Sequence, residues 1–261
     1  MDLGTIKYEV KAKIAVLSFN RPEKRNAFNR QMIEDLEVAT QRIRQDESIR
    51  CLILTGLGLG FCAGADLSEL SEKDPGWIDT EEALIKGYLP SLRNIIEMPK
   101  PVISAVNGGA AGVGSAFAMV CDLTIMAEDA YILQAFSNIG LIPDGGANWL
   151  LTQSIGYKLA YQIAIEGERI PARRCLELGL ANKVVSSNLL MEEAIKWGEA
   201  LSQKSPNALS STKRIMRESL DNSYLETYAA EAKEQNILIG TPDNLEGIQA
   251  FIEKRKPMFS D

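Results

Sequence analysis

The run PKPVISAVNGGAAGVGSAFAMVCD, residues 99–122, contains the unit that decides the architecture. Val102 to Val106 reads as a strand buried on both faces, because a short apolar run bounded by breakers suits a parallel sheet. Asn107-Gly108-Gly109 ends it. A helix of small residues follows at once and reaches Cys121, and Leu123 to Met126 reads as the next strand. Outward from this run the strand–turn–helix unit recurs, with strands near residues 14, 52, 103 and 124. That alternation predicts an α/β fold.

Tyr8 to Phe19 reads as a hairpin with Lys11-Ala12-Lys13 as its turn. Arg30 to Asp46 sets Met32, Leu36, Ala39 and Ile43 on one face, which is helical spacing. Cys51 to Thr55 is a short buried strand, and Glu81 to Glu97 a helix stopped by Met98-Pro99-Lys100-Pro101. Tyr131 to Leu133 is a further strand. From Gly146 onward the pattern is mostly helical, with one strand at Lys183 to Val185. The last helices start at Ser205-Pro206 and Thr241-Pro242, where a capping hydroxyl precedes a first-turn proline. The expected organisation is a core over residues 1–200 and a helical region over residues 201–261.

Among the 261 residues, 35 are acidic and 28 basic, for a net charge of −7, and none is histidine. The missing histidine excludes Ser-His-Asp and Cys-His nucleophiles and histidine general bases. Proton transfer near neutral pH then falls to Asp, Glu, Lys, Tyr, Cys or water. Four cysteines (Cys51, Cys62, Cys121, Cys175) form no C-x-x-C pair, so no metal site is expected. Acidic residues appear early, and the start lacks a charged-then-apolar leader pattern. No run of ~20 residues suits a membrane span; Pro101 to Val120 comes nearest, but its Gly, Ala and Asn107 suit close packing. A cytoplasmic protein is expected. Its acidity disfavours nucleic acid, so an anionic ligand needs a local basic patch.

Three loops are placed for chemistry. In Phe61-Cys-Ala-Gly-Ala-Asp-Leu-Ser-Glu-Leu70, Asp66 and Glu69 have the spacing of a capping box, so one reading of the loop is helix initiation. The other is an oxyanion site, since Ala63, Gly64 and Ala65 leave their backbone N–H groups unobstructed. Gly108 to Phe117 has a G-x-G pair but no third glycine and no acid of a dinucleotide fingerprint, so close helix–sheet packing is its plain reading. In Ile139-Gly-Leu-Ile-Pro-Asp-Gly-Gly146, Asp144 is either a surface turn residue or a carboxylate among Leu141, Ile142, Ala147 and Trp149. In the second case desolvation raises its pKa, as a proton shuttle requires.

Together the loops resemble the crotonase superfamily, the enoyl-CoA hydratase/isomerase family. The resemblance includes Asn20-Arg-Pro-Glu-Lys-Arg-Asn-Ala27, Ala63-Gly-Ala-Asp-Leu67, Pro99 to Gly108, Gly112-Val-Gly114 and Cys121-Asp122, and ends in Glu246 to Pro257. It implies a spiral of ββα units with a C-terminal helical region, a trimer or dimer of trimers, and an acyl-CoA thioester as partner, with no permanently bound cofactor. By family position, the amides of Ala65 and Val113 form the hole for the thioester oxygen. The resemblance also implies substrate contacts from Lys24, Ala27, Ala63, Gly64, Asp66, Leu67, Gly112 and Phe136. Lys24 and Arg25 border the CoA nucleotide in this reading, and Lys254-Arg255-Lys256 belong to a tail that reaches a neighbour's CoA.

One departure bears on activity. Resembling hydratases carry two glutamates, where this chain has Ala116 and Phe136. Asp144 stands where isomerases of the family keep a single acid, including the phenylacetate-pathway ring-epoxide isomerases and the Δ3,Δ2-enoyl-CoA isomerases. An acyl-CoA isomerase is therefore expected, with Asp144, Ala65 and Val113 as its catalytic groups. A hydratase with other acids (Glu69, Glu72, Asp74, Asp79, Glu81 and Glu82 being available), a ring-epoxide aryl-CoA isomerase, a thioester hydrolase and a non-catalytic acyl-CoA binder are the alternatives. The C-terminal helices are expected to bury Ile215, Leu220, Tyr224, Tyr228 and Ile237, partly across subunits.

Overall fold

The computed structural model describes residues 3–68 and 79–259. Among these, ten strands form two sheets: β1 (Ile6–Lys11), β2 (Ile14–Phe19), β3 (Cys51–Gly56), β4 (Gly60–Cys62), β5 (Val102–Val106), β6 (Gly109–Ala111), β7 (Leu123–Ala127), β8 (Tyr131–Leu133), β9 (Arg169–Pro171) and β10 (Lys183–Val185). The larger sheet runs β1-β2-β3-β5-β7-β10 and the smaller β4-β6-β8-β9. Apart from the β1–β2 hairpin, the larger sheet is parallel. Every residue of β2, β3 and β5 is buried, as strands covered on both faces must be.

From β3 to β8 each turn of the chain lays one strand in each sheet before a helix returns it. β3 leads to β4, β5 to β6, and β7 to β8, so the chain winds as a spiral of ββα units. The sequence pattern missed β4, β6 and β9. Unlike the equally short β8 and β10, which carry Ile or Val and an apolar run, they contain Gly, Ala or Pro and so lack a strand-forming run, and their pairing is distant, Gly60 with Gly109 and Gly109 with Tyr131. The small-residue helix accordingly starts at Val113 and runs to Val120, after β6 rather than straight after Asn107-Gly108-Gly109.

The helix Arg30–Gln45 buries Met32, Leu36, Ala39 and Ile43, and the Asn29 side chain accepts from Met32 N at 3.0 Å to cap it. Each large apolar side chain in that stripe is worth about 1.5–3 kcal/mol when fully buried. The expected helix up to Glu97 is three pieces: Thr80–Glu82, a π-helical turn at Ala83–Tyr88, and Leu89–Glu97. The wide turn lies just before Pro90, whose missing N–H breaks the regular ladder.

Beyond β10 the chain is helical. Ser205 and Thr241 cap Pro206–Glu218 and Pro242–Glu253 with their hydroxyls, each with proline in the first turn. Asp122 fastens the first of these helices to the core, pairing with Lys213 at 2.7 Å and Arg217 at 2.9 Å. Of the apolar residues expected to be covered, Ile215 is buried, while Leu220, Tyr224, Tyr228 and Ile237 stand exposed on this single chain. Among the described residues, no helix is long and apolar enough to cross a membrane.

Candidate active site

The ends of β4 and β6 open into two turns that pack on each other. Gly64 and Gly112 both take left-handed backbone angles, with φ of +96° and +53°. A Cβ at Gly64 would lie 3.0 Å from Ala111 O, and one at Gly112 would lie 3.7 Å from Gly64 Cα. The positive φ favours glycine at both positions, and at Gly64 the close approach of Ala111 O adds to it, whereas the contact at Gly112 is an ordinary one. The residues that follow, Ala65 and Val113, stand on adjoining turns. Neither backbone N–H has an acceptor among the described residues. Val113 also opens the helix Val113–Val120, whose dipole favours negative charge at that end.

The segment before the first long helix is stitched to the Gly64 turn by backbone bonds. Ala63 N donates to Arg25 O at 3.0 Å, Phe28 N to Gly64 O at 2.7 Å, and Asp66 N to Phe28 O at 2.9 Å. Arg21 crosses between them, paired with Asp66 at 3.0 Å and donating to Ala27 O. Lys24 and Ala27 are thereby brought beside Ala63, Gly64 and Asp66. Lys24, Arg25, Ala63 and Leu67 are exposed; Ala27, Gly64 and Asp66 are buried.

Asp66 is tied to its own turn as well as to Arg21. Its carboxylate accepts from the Ser68 hydroxyl at 2.5 Å and the Ser68 amide at 3.2 Å, and Leu67-Ser68 is a turn. These bonds, chiefly the hydroxyl's, together with Arg21 hold its pKa below the usual carboxylate range. Glu69, its expected capping partner, lies outside the described residues, as do Glu72 and Asp74. Of the other acids considered, Asp79 caps the helix at Thr80, Glu82 pairs with Lys86, and Glu81 is exposed.

The third loop closes over the first turn of the Val113 helix. A Cβ at Gly145 would lie 2.8 Å from Ala116 Cβ and 3.1 Å from Val113 Cγ2. Asp144, one residue earlier, is half-buried, and its Oδ1 is fully enclosed with no hydrogen-bond partner among the described residues. Burial pushes its pKa up to about 6. The setting differs from the expected one, because Leu141, Ile142 and Trp149 point outward, at 58 %, 78 % and 41 % exposed. Of those four neighbours only Ala147 is buried, and the Val113–Ala116 turn lies against Gly145. Phe136 is also here: a Cβ at Gly112 would lie 3.8 Å from its Cζ. Ala116 and Phe136 are both buried and carry no titratable group.

A raised carboxyl pKa carries a stability cost with a definite sign. The folded protein holds a proton on Asp144 that the unfolded chain, titrating near 3.8, has already lost. Stability from this group therefore falls as pH rises from about 4 to 6 and stays low above. Asp144→Asn should raise Tm at pH 7–8 and change it little below pH 4, as thermal unfolding at the two pH values will show.

The C-terminal tail is engaged within its own chain. Arg255 pairs with Glu246 and Glu253, each at 2.6 Å, while Lys254 ends its helix in a left-handed cap. Two buried polar residues behind Gly112, Ser115 and Gln134, escaped the sequence reading. They are 19 positions apart and carry no motif, so only the fold reveals their contact.

A sequence model described as enoyl-CoA hydratase/isomerase matches residues 9–261. The chain belongs to this family. Members of the enoyl-CoA hydratase/isomerase family are enzymes acting on CoA thioesters. The chain is 35 % identical over 252 residues to the 1,2-epoxyphenylacetyl-CoA isomerase of Escherichia coli, covering 96 % of each. It is 36 % identical to a probable enoyl-CoA hydratase of Rhodobacter capsulatus, covering 100 % of this chain and 99 % of the relative. Among solved structures, an enoyl-CoA hydratase from a Polaromonas species superposes with a TM-score of 0.93 at 34 % identity, covering 98 % of this chain and all of that one. The fold is thus the crotonase spiral.

Proposed function

We propose that the chain is an acyl-CoA isomerase that shifts a double bond through a thioester enolate. The observation that carries this reading is Asp144, a half-buried carboxylate whose enclosed Oδ1 has no hydrogen-bond partner among the described residues, beside two buried positions that hold only Ala116 and Phe136. In a 3-enoyl thioester the Asp144 carboxylate removes a proton from C2. The electron pair spreads over the carbonyl oxygen and C4, and the N–H groups of Ala65 and Val113 stabilise that oxygen. The carboxylic acid then returns the proton to C4, leaving the 2-enoyl isomer and a regenerated carboxylate. One carboxyl group suffices for both transfers.

Hydration asks for more: one group must activate water while another delivers a proton. By resemblance the family's hydratases use glutamates where Ala116 and Phe136 stand. Crotonyl-CoA should accordingly be hydrated slowly or not at all, measured as loss of enoyl absorbance. Rapid hydration would move the assignment to an acid from residues 69–82.

The likeness to the Escherichia coli 1,2-epoxyphenylacetyl-CoA isomerase favours a second reading, rearrangement of an aryl-CoA ring epoxide at the same site. A panel of 3-enoyl, 2-enoyl and arylacetyl ring-epoxide CoA thioesters, with products identified by mass and ultraviolet absorbance, separates the two. Release of free CoA would instead indicate a hydrolase, and unchanged substrates a binder.

The site extends in this reading to Lys24 for the nucleotide and to Ala27, Ala63, Gly64, Asp66, Leu67, Gly112 and Phe136 around the thioester and acyl chain. The helices of residues 201–261 cover CoA and join subunits. The exposed Leu220, Tyr224, Tyr228 and Ile237 suit burial in a closed trimer or dimer of trimers. Sedimentation at micromolar concentration should show three or six subunits; a monomer would contradict this part.

A further inference from the structure

The turn that presents Val113 is braced from behind by two side chains that the proposed proton transfers do not use. Ser115 and Gln134 are both fully buried. Ser115 Oγ lies 2.6 Å from Gly112 O, and Gln134 Nε2 lies 2.7 Å from Ser115 Oγ. Chemistry fixes the direction of this chain. A backbone carbonyl only accepts, so the single hydroxyl proton goes to Gly112 O. The hydroxyl oxygen then accepts from Gln134, which must present its NH2 group.

Two further contacts and one orphaned atom point the same way. Gly112 O accepts a second bond, from Ser115 N at 2.9 Å, and Gly112 N donates at 3.0 Å to the carbonyl of Leu133, the neighbour of Gln134. The Gly112 turn is held on both sides. Gln134 Oε1 is buried with no partner among the described residues. A buried polar atom left unmade costs stability that an apolar side chain would avoid, so the amide is not explained by packing.

The carbonyl of Gly112 and the N–H of Val113 belong to one peptide group. Hydrogen bonds to the carbonyl draw electron density from the nitrogen through amide resonance and make that N–H a stronger donor. We propose that Gln134 and Ser115 are positioning residues, which hold and polarise the Gly112–Val113 peptide so that Val113 N–H binds the thioester oxygen more strongly. This rests on the reading of Val113 as an oxyanion donor. A purely structural pair would hold β8 to the helix without affecting the bound carbonyl.

The test uses butyryl-CoA carrying 13C at its thioester carbonyl, with infrared difference spectra of the intact protein and of Ser115→Ala and Gln134→Met. Steady-state kcat and KM on a 3-enoyl-CoA accompany the spectra. In the parent, the bound carbonyl band should lie below that of free butyryl-CoA. Ser115→Ala should move it part of the way back and lower kcat by about 10-fold, since a donor is weakened rather than removed. KM should stay within about 2-fold. Gln134→Met should act in the same direction, less strongly, and decides alone by the same criteria if Ser115→Ala does not fold. A folded variant that loses rate while keeping the parent's carbonyl band would overturn the proposal, as would one that changes neither. A parent band equal to that of free butyryl-CoA would instead defeat the oxyanion reading itself, and the brace would fall with it.

Discussion

Asp144→Asn should bind acyl-CoA thioesters nearly as the parent does while kcat falls at least ~10²-fold, the usual scale for a lost general base. Asparagine keeps the size of the side chain and much of its hydrogen bonding, yet it cannot carry the proton. No other carboxylate with a raised pKa stands beside the Val113 turn among the described residues to take its place. The pH profile follows from the same environment. The base works only as a carboxylate, and burial pushes its pKa up to about 6. Turnover should therefore climb as pH rises through about 6 and level off above it. Titration calorimetry with butyryl-CoA and a pH series of initial rates check both halves. An Asn variant with near-normal turnover would end the single-carboxylate mechanism.

Val113→Pro should be comparably damaging through the backbone alone. Position 113 is the first residue of its helix, where proline is tolerated because no intrahelical bond is lost. The substitution removes one N–H and leaves the helix able to form. Losing one oxyanion donor typically costs about 3–4 kcal/mol of transition-state stabilisation, roughly 10²–10³ in kcat. Val113→Ala, which keeps the N–H, should retain most of the activity. The pair of variants separates donor from side chain. Equal turnover of a folded Val113→Pro protein would remove this loop from the site.

The legible parts of the chain were those whose signal is local. Val102 to Val106 announces a buried strand by composition, Met32 to Ile43 a helix face by spacing, and Ser205-Pro206 and Thr241-Pro242 helix starts by capping chemistry. The crotonase resemblance pointed to the loops of Ala65, Val113 and Asp144; the fold packs the Gly64 and Gly112 turns on each other and sets Gly145 against the side chains of Val113 and Ala116. What escaped depends on distant partners. β4, β6 and β9 are short and carry Gly, Ala or Pro instead of strand-forming runs, and exist through pairing across the smaller sheet. Ser115 reads as one more small residue in a small-residue helix until Gln134 is placed behind it. Leu141 and Ile142 suggested an apolar lining for Asp144, but both lie exposed, and its Oδ1 is enclosed nonetheless. The pairing of Asp66 with Arg21, 45 positions away, was likewise hidden from the sequence.

The central claim is that one enclosed carboxylate moves protons at C2 of an oxyanion-held thioester. Exchange of the C2 protons of a 3-enoyl-CoA with solvent deuterium, followed by nuclear magnetic resonance in the parent and in Asp144→Asn, tests it most directly. The account predicts deuterium at C2, accompanying isomerisation, in the parent and at least ~10²-fold slower exchange in the variant. No exchange in the parent, or equal exchange in both proteins, would contradict it.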